Sequence, residues 1–161
     1  LDSQAKAAVS TSPASAVQPC VHLRRSLFSS TGNPAYYLHG TEAVPLLRQL
    51  AAGDVVIAIS NSGETAELKA TVLAVQNNGC KVIGVSGTEQ LAAKHTDAFL
   101  FAGVKAEGGP LNRAPRNSVL AELLTLQALS VALQVEKDWD PVKYVAATPA
   151  ESWASCGRTK K

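Results

Sequence analysis

The sequence contains few residues that could form disulfides or bind metals. Its 161 residues include three cysteines and three histidines. Cys20, Cys80 and Cys156 show no CxxC spacing, so neither a disulfide framework nor a zinc site is expected. The histidines are scattered without a partner at ligand spacing, and we predict no metal and no cofactor. Three free thiols are typical of a reducing compartment, which predicts a cytoplasmic location.

Dense charge and long apolar runs are also missing. The charged fraction is 17%, the net charge is +2, and Lys and Arg form no stripe. Nucleic acid is therefore not an expected partner. The longest apolar runs, such as Val55–Ile59, have the length of a strand, so no membrane partner is expected either. An apolar fraction of 46% in a chain of this length favours one compact globular domain.

From residue 34 onward, strand patterns alternate with helix patterns. The segment Asp54–Ser60 is apolar without alternation, which is typical of a strand buried on both faces. Such alternation predicts an α/β fold, specifically a three-layer α/β/α sandwich with a parallel sheet. Predicted strands are Ala35–Leu38, Asp54–Ser60, Lys81–Ser86 and Ala98–Ala102. Predicted helices are Thr41–Ala52, Thr65–Asn78, Glu89–His95, Asn117 to about Glu136, and Asp140–Ala147.

Helix ends and termini carry weaker signals. Gly79 suits a left-handed residue after a helix, and Asn117 suits the N-cap of the longest helix. That helix is apolar on nearly every side, which predicts burial on more than one side. Residues 2–8 are compatible with the end of a helix, and residues 10–19 are rich in Ser, Thr, Ala and Pro, as in a loop.

The loop Ser-Asn-Ser-Gly-Glu-Thr at residues 60–65 follows the predicted buried strand and precedes a helix. In an open parallel sheet, ligands bind beyond the carboxyl ends of the strands. Hydroxyls of Ser60, Ser62 and Thr65 lie within six residues, and Gly63 lets the backbone approach a ligand closely. The start of the following helix adds unpaired N–H groups and a positive dipole end. The loop therefore suits a phosphate dianion, although an ordinary capped strand–helix turn has a similar composition.

Four segments resemble the SIS (sugar isomerase) family, including its arabinose 5-phosphate isomerases and KpsF/GutQ-type members. The segments are DVVIAISNSGETAEL (54–68), STGNPAYYLHGTEA (30–43), KVIGVSG (81–87) and EGGPLNRAP (107–115). The resemblance covers about residues 26–147 and continues through the long helix. It divides the chain into a poorly matched segment 1–25, a phosphosugar-binding domain 26–147 and an atypical tail 148–161.

The resemblance implies a domain that binds a phosphorylated sugar, of the aldose–ketose isomerase type. Such a reaction needs a base near carbon and an acid near oxygen. As alternatives, Glu67 could only complement a helix dipole, Glu107 could be a solvated surface acid, and Ser118 could be a helix-terminal residue without a ligand. Family members commonly form dimers or tetramers, so a homo-oligomer is expected. The site residues implied are Ser60, Asn61, Ser62, Thr65 and Ser118 for the ligand and its phosphate, and Glu67 and Glu107 for catalysis.

Three departures from the family pattern predict an incomplete catalytic set. Residues 9–26 lack the usual strand with its Gly-Lys-Ser-Gly-type loop, which leaves open whether the first strand is present. The usual His-Gly pair after Ala43 is absent, and so is the His-Pro-Gly-Gly motif after Ala147. A reading-frame slip would explain the clustering, because codons for residues 147–161 exist that give HPGGELGKLRED one base earlier. We therefore expect an impaired or inactive isomerase. A non-catalytic phosphosugar-sensing module and a product that folds poorly are the alternatives.

Overall fold

The computed structural model describes residues 7–11, 26–39, 47–89, 95–138, 140 and 142. Its centre is a sheet of five parallel strands with helices on both faces. This arrangement confirms the predicted α/β/α sandwich. The strands are β1 (Ala7–Thr11), β2 (Ala35–His39), β3 (Val55–Ile59), β4 (Lys81–Ser86) and β5 (Ala98–Phe101).

The first strand is present and lies inside the sheet. The strand order is β2-β1-β3-β4-β5, with Ala7 opposite both Ala35 and Val55. A sheet without its first strand, and a helical end at residues 7–8, are therefore both wrong. The segment AAVST has only two β-branched residues, but two neighbouring strands supply backbone partners that local propensity does not reveal. The expectation of poor folding, which rested on a missing strand, loses its basis.

Strand β3 forms the middle of the core. All five of its residues are buried, which confirms a strand covered on both faces. Its alternate side chains enter two separate apolar clusters, one on each side of the sheet. One cluster contains Phe28, Ala35, Ile57, Ile59, Val85, Ala102 and Leu126. The other contains Leu38, Val56, Ala58, Leu68, Val72, Val75, Cys80 and Val82.

Helix α1 (Ala66–Asn77) follows the 60–65 loop and covers one face of the sheet. It begins and ends within one residue of the predicted bounds. Its buried side chains recur at helical spacing, and they are Leu68, Thr71, Val72 and Val75. Gly79 follows with φ of +79°, which confirms the predicted left-handed residue. The amide of Gly79 donates to the carbonyl of Gln76 at 2.9 Å.

Helix α2 (Asn117–Glu136) covers the other face. Its N-cap is Arg116, without a side-chain capping bond, so the prediction of Asn117 as the cap is wrong. The buried residues form one i, i+4 stripe of Ser118, Glu122, Leu126 and Ser130. Burial on several sides is not found among the residues that the structure describes. A second stripe is exposed: Leu120 by 63%, Leu124 by 71%, Val131 by 57% and Val135 by 73%. By length and composition alone, this helix could also cross a membrane.

Other predicted elements fall wholly or partly outside the described residues. Of the helix predicted at 41–52, only residues 47–52 are described, and the chain has left helical geometry by Arg48. That prediction is wrong at its carboxyl end. The helices predicted at 89–95 and 140–147, the loop at 10–19 and the tail at 148–161 lie mostly or entirely outside the described residues.

Candidate functional site

The 60–65 loop leaves the sheet at the carboxyl end of β3. The amide of Ser60 still donates to the carbonyl of Val85 on β4, at 3.0 Å. Gly63 is buried and has φ of +68°, a conformation that L side chains rarely adopt. Glycine at this position is therefore needed for the turn.

The hydroxyls of the loop are drawn together by a compact turn. Ser60 Oγ accepts the amide of Gly63 at 3.1 Å and lies 3.3 Å from Thr65 Oγ1. Ser62 Oγ accepts the amide of Glu64 at 3.3 Å. Each hydroxyl keeps capacity for a further hydrogen bond, because an Oγ has one donor and two lone pairs. The hydroxyls of Ser60 and Thr65 thus lie side by side, and that of Ser62 bonds within the same turn.

Helix α1 presents an uncapped N-terminus to this loop. Its N-cap, Thr65, makes no side-chain capping bond. The first amides of a helix have no intrahelical partner, so they are available to an anion at this point. Glu67 lies in the first turn with an exposed side chain. This position fits both a dipole-complementing acid and a group that reaches a ligand.

Residues 86–88, at the end of β4 and just after it, form a brace of hydrogen bonds to the 60–65 loop. Ser86 Oγ donates to the carbonyl of Asn61 at 3.2 Å, and Thr88 Oγ1 donates to the carbonyl of Ser62 at 2.7 Å. The amide of Gly87 also donates to the Asn61 carbonyl, at 3.0 Å. These three bonds hold the carbonyls of Asn61 and Ser62 on the β4 side of the loop.

Residues 86–88 are not among the site residues predicted from the sequence. The signal was available, because the carboxyl ends of adjacent parallel strands share one edge of the sheet. Gly87 also marks a close backbone approach. A Cβ at this position would overlap Asn61 Oδ1 and would lie 3.1 Å from the Asn61 carbonyl oxygen.

Glu107 lies between the 60–65 loop and α2. Its Oε1 accepts Asn61 Nδ2 at 3.5 Å, and its Oε2 accepts the amides of Arg116 at 2.8 Å and Ser118 at 3.1 Å. The pKa of Glu107 is held below its ordinary value, first by a hydrogen bond from the hydroxyl of Ser118. Bonds from the backbone amides of Ser118, Arg116 and Asn117 lower it further, and desolvation opposes them. Glu107 is therefore anionic at neutral pH, and its carboxylate is held between Asn61 and the start of α2.

The segment that carries Glu107 is fastened at several points. Asn112 Oδ1 accepts the amides of Glu107 at 2.7 Å and Gly108 at 3.1 Å. Asn117 Nδ2 donates to the carbonyl of Ala106 at 2.8 Å. Asn112 itself has φ of +47°. The segment is thus an ordered turn, and this fixes the direction of the Glu107 carboxylate.

Hydrogen bonds join five of the seven predicted site residues in two groups, Ser60 with Thr65, and Asn61 with Glu107 and Ser118. The hydroxyl of Ser62 bonds to the amide of Glu64 instead, and Glu67 is exposed in the first turn of α1. Among the described residues, no group of three His, Cys, Asp or Glu side chains could hold a metal ion.

An apolar cavity of about 480 Å³ lies elsewhere, at the amino ends of the strands. Val55, Lys81 and Ala98, the first residues of β3, β4 and β5, contribute to its wall, as do Leu129 and Leu133 of α2. It shares no residue with the 60–65 loop. Its size alone does not make it the functional site, because the convergent hydroxyls and amides lie at the opposite edge.

The chain resembles proteins of known family along most of its length. The SIS domain family model matches residues 19–132. A probable arabinose 5-phosphate isomerase of Haemophilus influenzae is 36% identical over 127 residues, which are 78% of this chain and 38% of that protein. The arabinose 5-phosphate isomerase KdsD of Escherichia coli K12 is 38% identical over 117 residues, which are 70% of this chain and 36% of that protein. The chain thus spans a little over a third of the length of these relatives.

Solved structures share the same architecture. A protein of Escherichia coli CFT073 in complex with A5P superposes with a TM-score of 0.78 at 32% identity, covering 91% of this chain and 78% of that one. A phosphosugar isomerase assigned to capsule formation in Bacteroides fragilis superposes with a TM-score of 0.83 at 25% identity, covering 92% and 79%. The family match, the sequence relatives and the superpositions agree, and this chain belongs to the SIS domain family.

Proposed function

We propose that this chain is a sugar-phosphate-binding domain of the aldose–ketose isomerase type, similar to arabinose 5-phosphate isomerases, with an incomplete catalytic set. The observation that carries the proposal is the 60–65 loop at the uncapped N-terminus of α1. Hydroxyls and backbone amides converge there, and no cofactor is needed to bind a phosphate.

The phosphate site is built from neutral donors. A dianion placed between Ser60, Ser62 and Thr65 would accept hydroxyl bonds and the free amides of the first turn of α1. Hydrogen bonds to an ionised acceptor are about twice as strong as neutral ones. The brace from residues 86–88 keeps the carbonyls of Asn61 and Ser62 bonded on its own side, which reduces repulsion between carbonyl oxygens and the anion.

The identity of the sugar is proposed from the names and the bound ligand of the relatives. Two curated relatives are named as arabinose 5-phosphate isomerases, and one solved relative carries A5P. We extend this substrate class to the present chain. Of the two acids predicted for catalysis, Glu67 remains the candidate for proton transfer, since both oxygens of Glu107 already accept hydrogen bonds. The family pattern also includes a lysine and histidines that this chain lacks. They are missing from residues 9–26, after Ala43 and after Ala147, which lie outside the described residues or at their border.

Replacing Ser62 should weaken the binding of arabinose 5-phosphate without unfolding the domain. Ser62 is exposed, so Ser62→Ala removes a hydroxyl without leaving a cavity. Loss of one charge-assisted hydrogen bond should cost about 1.5–3 kcal/mol of binding free energy. Isothermal titration calorimetry measures this cost.

Ser30→Ala is the matched control. Ser30 is also exposed, and its hydroxyl donates to the carbonyl of Leu27, in the segment that precedes β2. We expect its affinity to equal that of the unmodified chain. An affinity unchanged in Ser62→Ala would remove this loop from the site.

We also propose that the domain self-associates through α2. The exposed stripe of Leu120, Leu124, Val131 and Val135 continues over four turns of the helix. A contiguous apolar surface of this kind marks an interaction site. Light scattering at tens of micromolar should show a dimer or larger species, and Leu124→Glu should shift it toward the monomer.

Leu111→Glu provides the comparison, because Leu111 is 80% exposed but lies in the turn before α2. It adds the same charge without entering the stripe, and we expect it to leave the assembly intact. A well-folded monomer from the unmodified chain would contradict the proposed assembly.

A further inference from the structure

The N-terminus of α2 receives no cap from its own first residues. The N-cap is Arg116, and its side chain makes no capping bond. The first turn contains no acidic residue either. Because the first amides of a helix need acceptors from outside the helix, another group must satisfy them.

Glu107 supplies that acceptor from nine residues upstream. Its Oε2 accepts the amides of Arg116 at 2.8 Å and Ser118 at 3.1 Å, so one oxygen binds two amides at the helix start. A carboxylate at this place also complements the positive end of the helix dipole. The turn around Asn112 holds the carboxylate in position.

The other oxygen of Glu107 faces the phosphate loop. Oε1 accepts Asn61 Nδ2 at 3.5 Å. The carbonyl of Asn61 already accepts bonds from Ser86 and Gly87. The bond to Glu107 restrains the Asn61 side chain in addition. Glu107 therefore connects the start of α2 with the 60–65 loop.

We propose that Glu107 is a positioning residue, which caps α2 and orients Asn61 toward a bound sugar phosphate, and that it is not the proton-transfer base. This inference rests on the proposed function for its ligand. Both carboxylate oxygens are engaged, and Oε2 already accepts two amides. The hydrogen bonds that stabilise the anion also keep the pKa of Glu107 below its ordinary value, and such a carboxylate is a weak base at neutral pH.

Two substitutions separate positioning from charge. Glu107→Gln retains an oxygen that can accept the amides of Arg116 and Ser118, whereas Glu107→Ala removes it. We expect Glu107→Ala to weaken arabinose 5-phosphate binding at least tenfold and Glu107→Gln to change it less than about threefold, because removal of a cap is much more disruptive than its conservative exchange. Equal losses in both variants, or no loss in Glu107→Ala, would overturn the proposal.

A second measurement needs no sugar. In an acid titration followed by ¹⁵N NMR, the amides of Arg116 and Ser118 and the side-chain amide of Asn61 should shift together. Their common midpoint should lie below the ordinary glutamate value of about 4.3, and the transition should vanish in Glu107→Gln. Independent midpoints in the unmodified chain would overturn the cap.

The sign of the associated stability change follows from the lowered pKa. Stability contributed by Glu107 is fully present above its unfolded pKa and is lost as the pH falls through its folded pKa. If the amides titrate as expected but arabinose 5-phosphate does not bind, the proposed function fails while the cap stands. If the sugar phosphate binds and the amides do not titrate, only the role of Glu107 fails.

Discussion

The chain as it stands should turn over arabinose 5-phosphate at least about 100-fold more slowly than a repaired version, because a single acid–base group typically contributes about 10²–10⁴-fold. In the repaired version, Thr148–Lys161 is replaced by HPGGELGKLRED, and residues 9–25 are replaced by a segment that keeps the end of β1 and adds a Gly-Lys-Ser-Gly loop after it. The 60–65 loop is present in both proteins, so the difference should lie in turnover more than in affinity. A coupled assay for ribulose 5-phosphate measures the rates.

The repair must preserve β1, which spans Ala7–Thr11 and pairs with both neighbours. A variant with only the tail replaced serves as the intermediate control, since it restores one histidine and leaves the lysine missing. Catalytic losses within one site do not simply add, so the double repair is the decisive comparison. Robust turnover in the unmodified chain would show that the catalytic set is complete without those residues. No turnover after full repair would favour a phosphosugar sensor.

Removing the phosphate from the ligand should weaken binding strongly. D-arabinose should bind at least about 100-fold more weakly than arabinose 5-phosphate, since each charge-assisted hydrogen bond to the dianion is worth about 1.5–3 kcal/mol. The loop offers hydroxyls from Ser60, Ser62 and Thr65 together with the free amides at the start of α1. Calorimetric titration of the same protein with both sugars gives the ratio of their affinities.

Inorganic phosphate is the control for that comparison. It should compete with arabinose 5-phosphate, more weakly than the sugar phosphate, because it fills the anion site without contacts to the sugar. Similar affinities for D-arabinose and arabinose 5-phosphate would place the main binding energy away from the 60–65 loop.

The parts of the fold that local sequence determines were predictable. The uninterrupted apolar run of β3 and the amphipathic pattern of α1 both appear in the structure at nearly the predicted bounds. The same holds for Gly79, whose positive φ follows from the end of a helix. These features depend on burial and backbone conformation within short segments, which the sequence displays directly.

Features that depend on long-range pairing were missed. Strand β1 has weak local propensity and is defined by backbone bonds to β2 and β3. The brace formed by Ser86 and Thr88 depends on which strand ends become neighbours. The capping of α2 by Glu107 joins positions nine and eleven residues apart. Helix-capping rules consider only the residues next to the helix start, and they therefore predicted Asn117 as the N-cap.

The most direct test of the central claim is an NMR titration of the unmodified chain with arabinose 5-phosphate. Saturable shifts are expected for the amides of residues 60–65, and for the amide of Thr88, whose hydroxyl donates to the carbonyl of Ser62. Residues around the apolar cavity at the other edge of the sheet, such as Phe28 and Leu133, should remain unchanged. Saturable shifts confined to that cavity, or no saturable shift in the 60–65 loop, would contradict the proposal that the sugar phosphate binds at this loop.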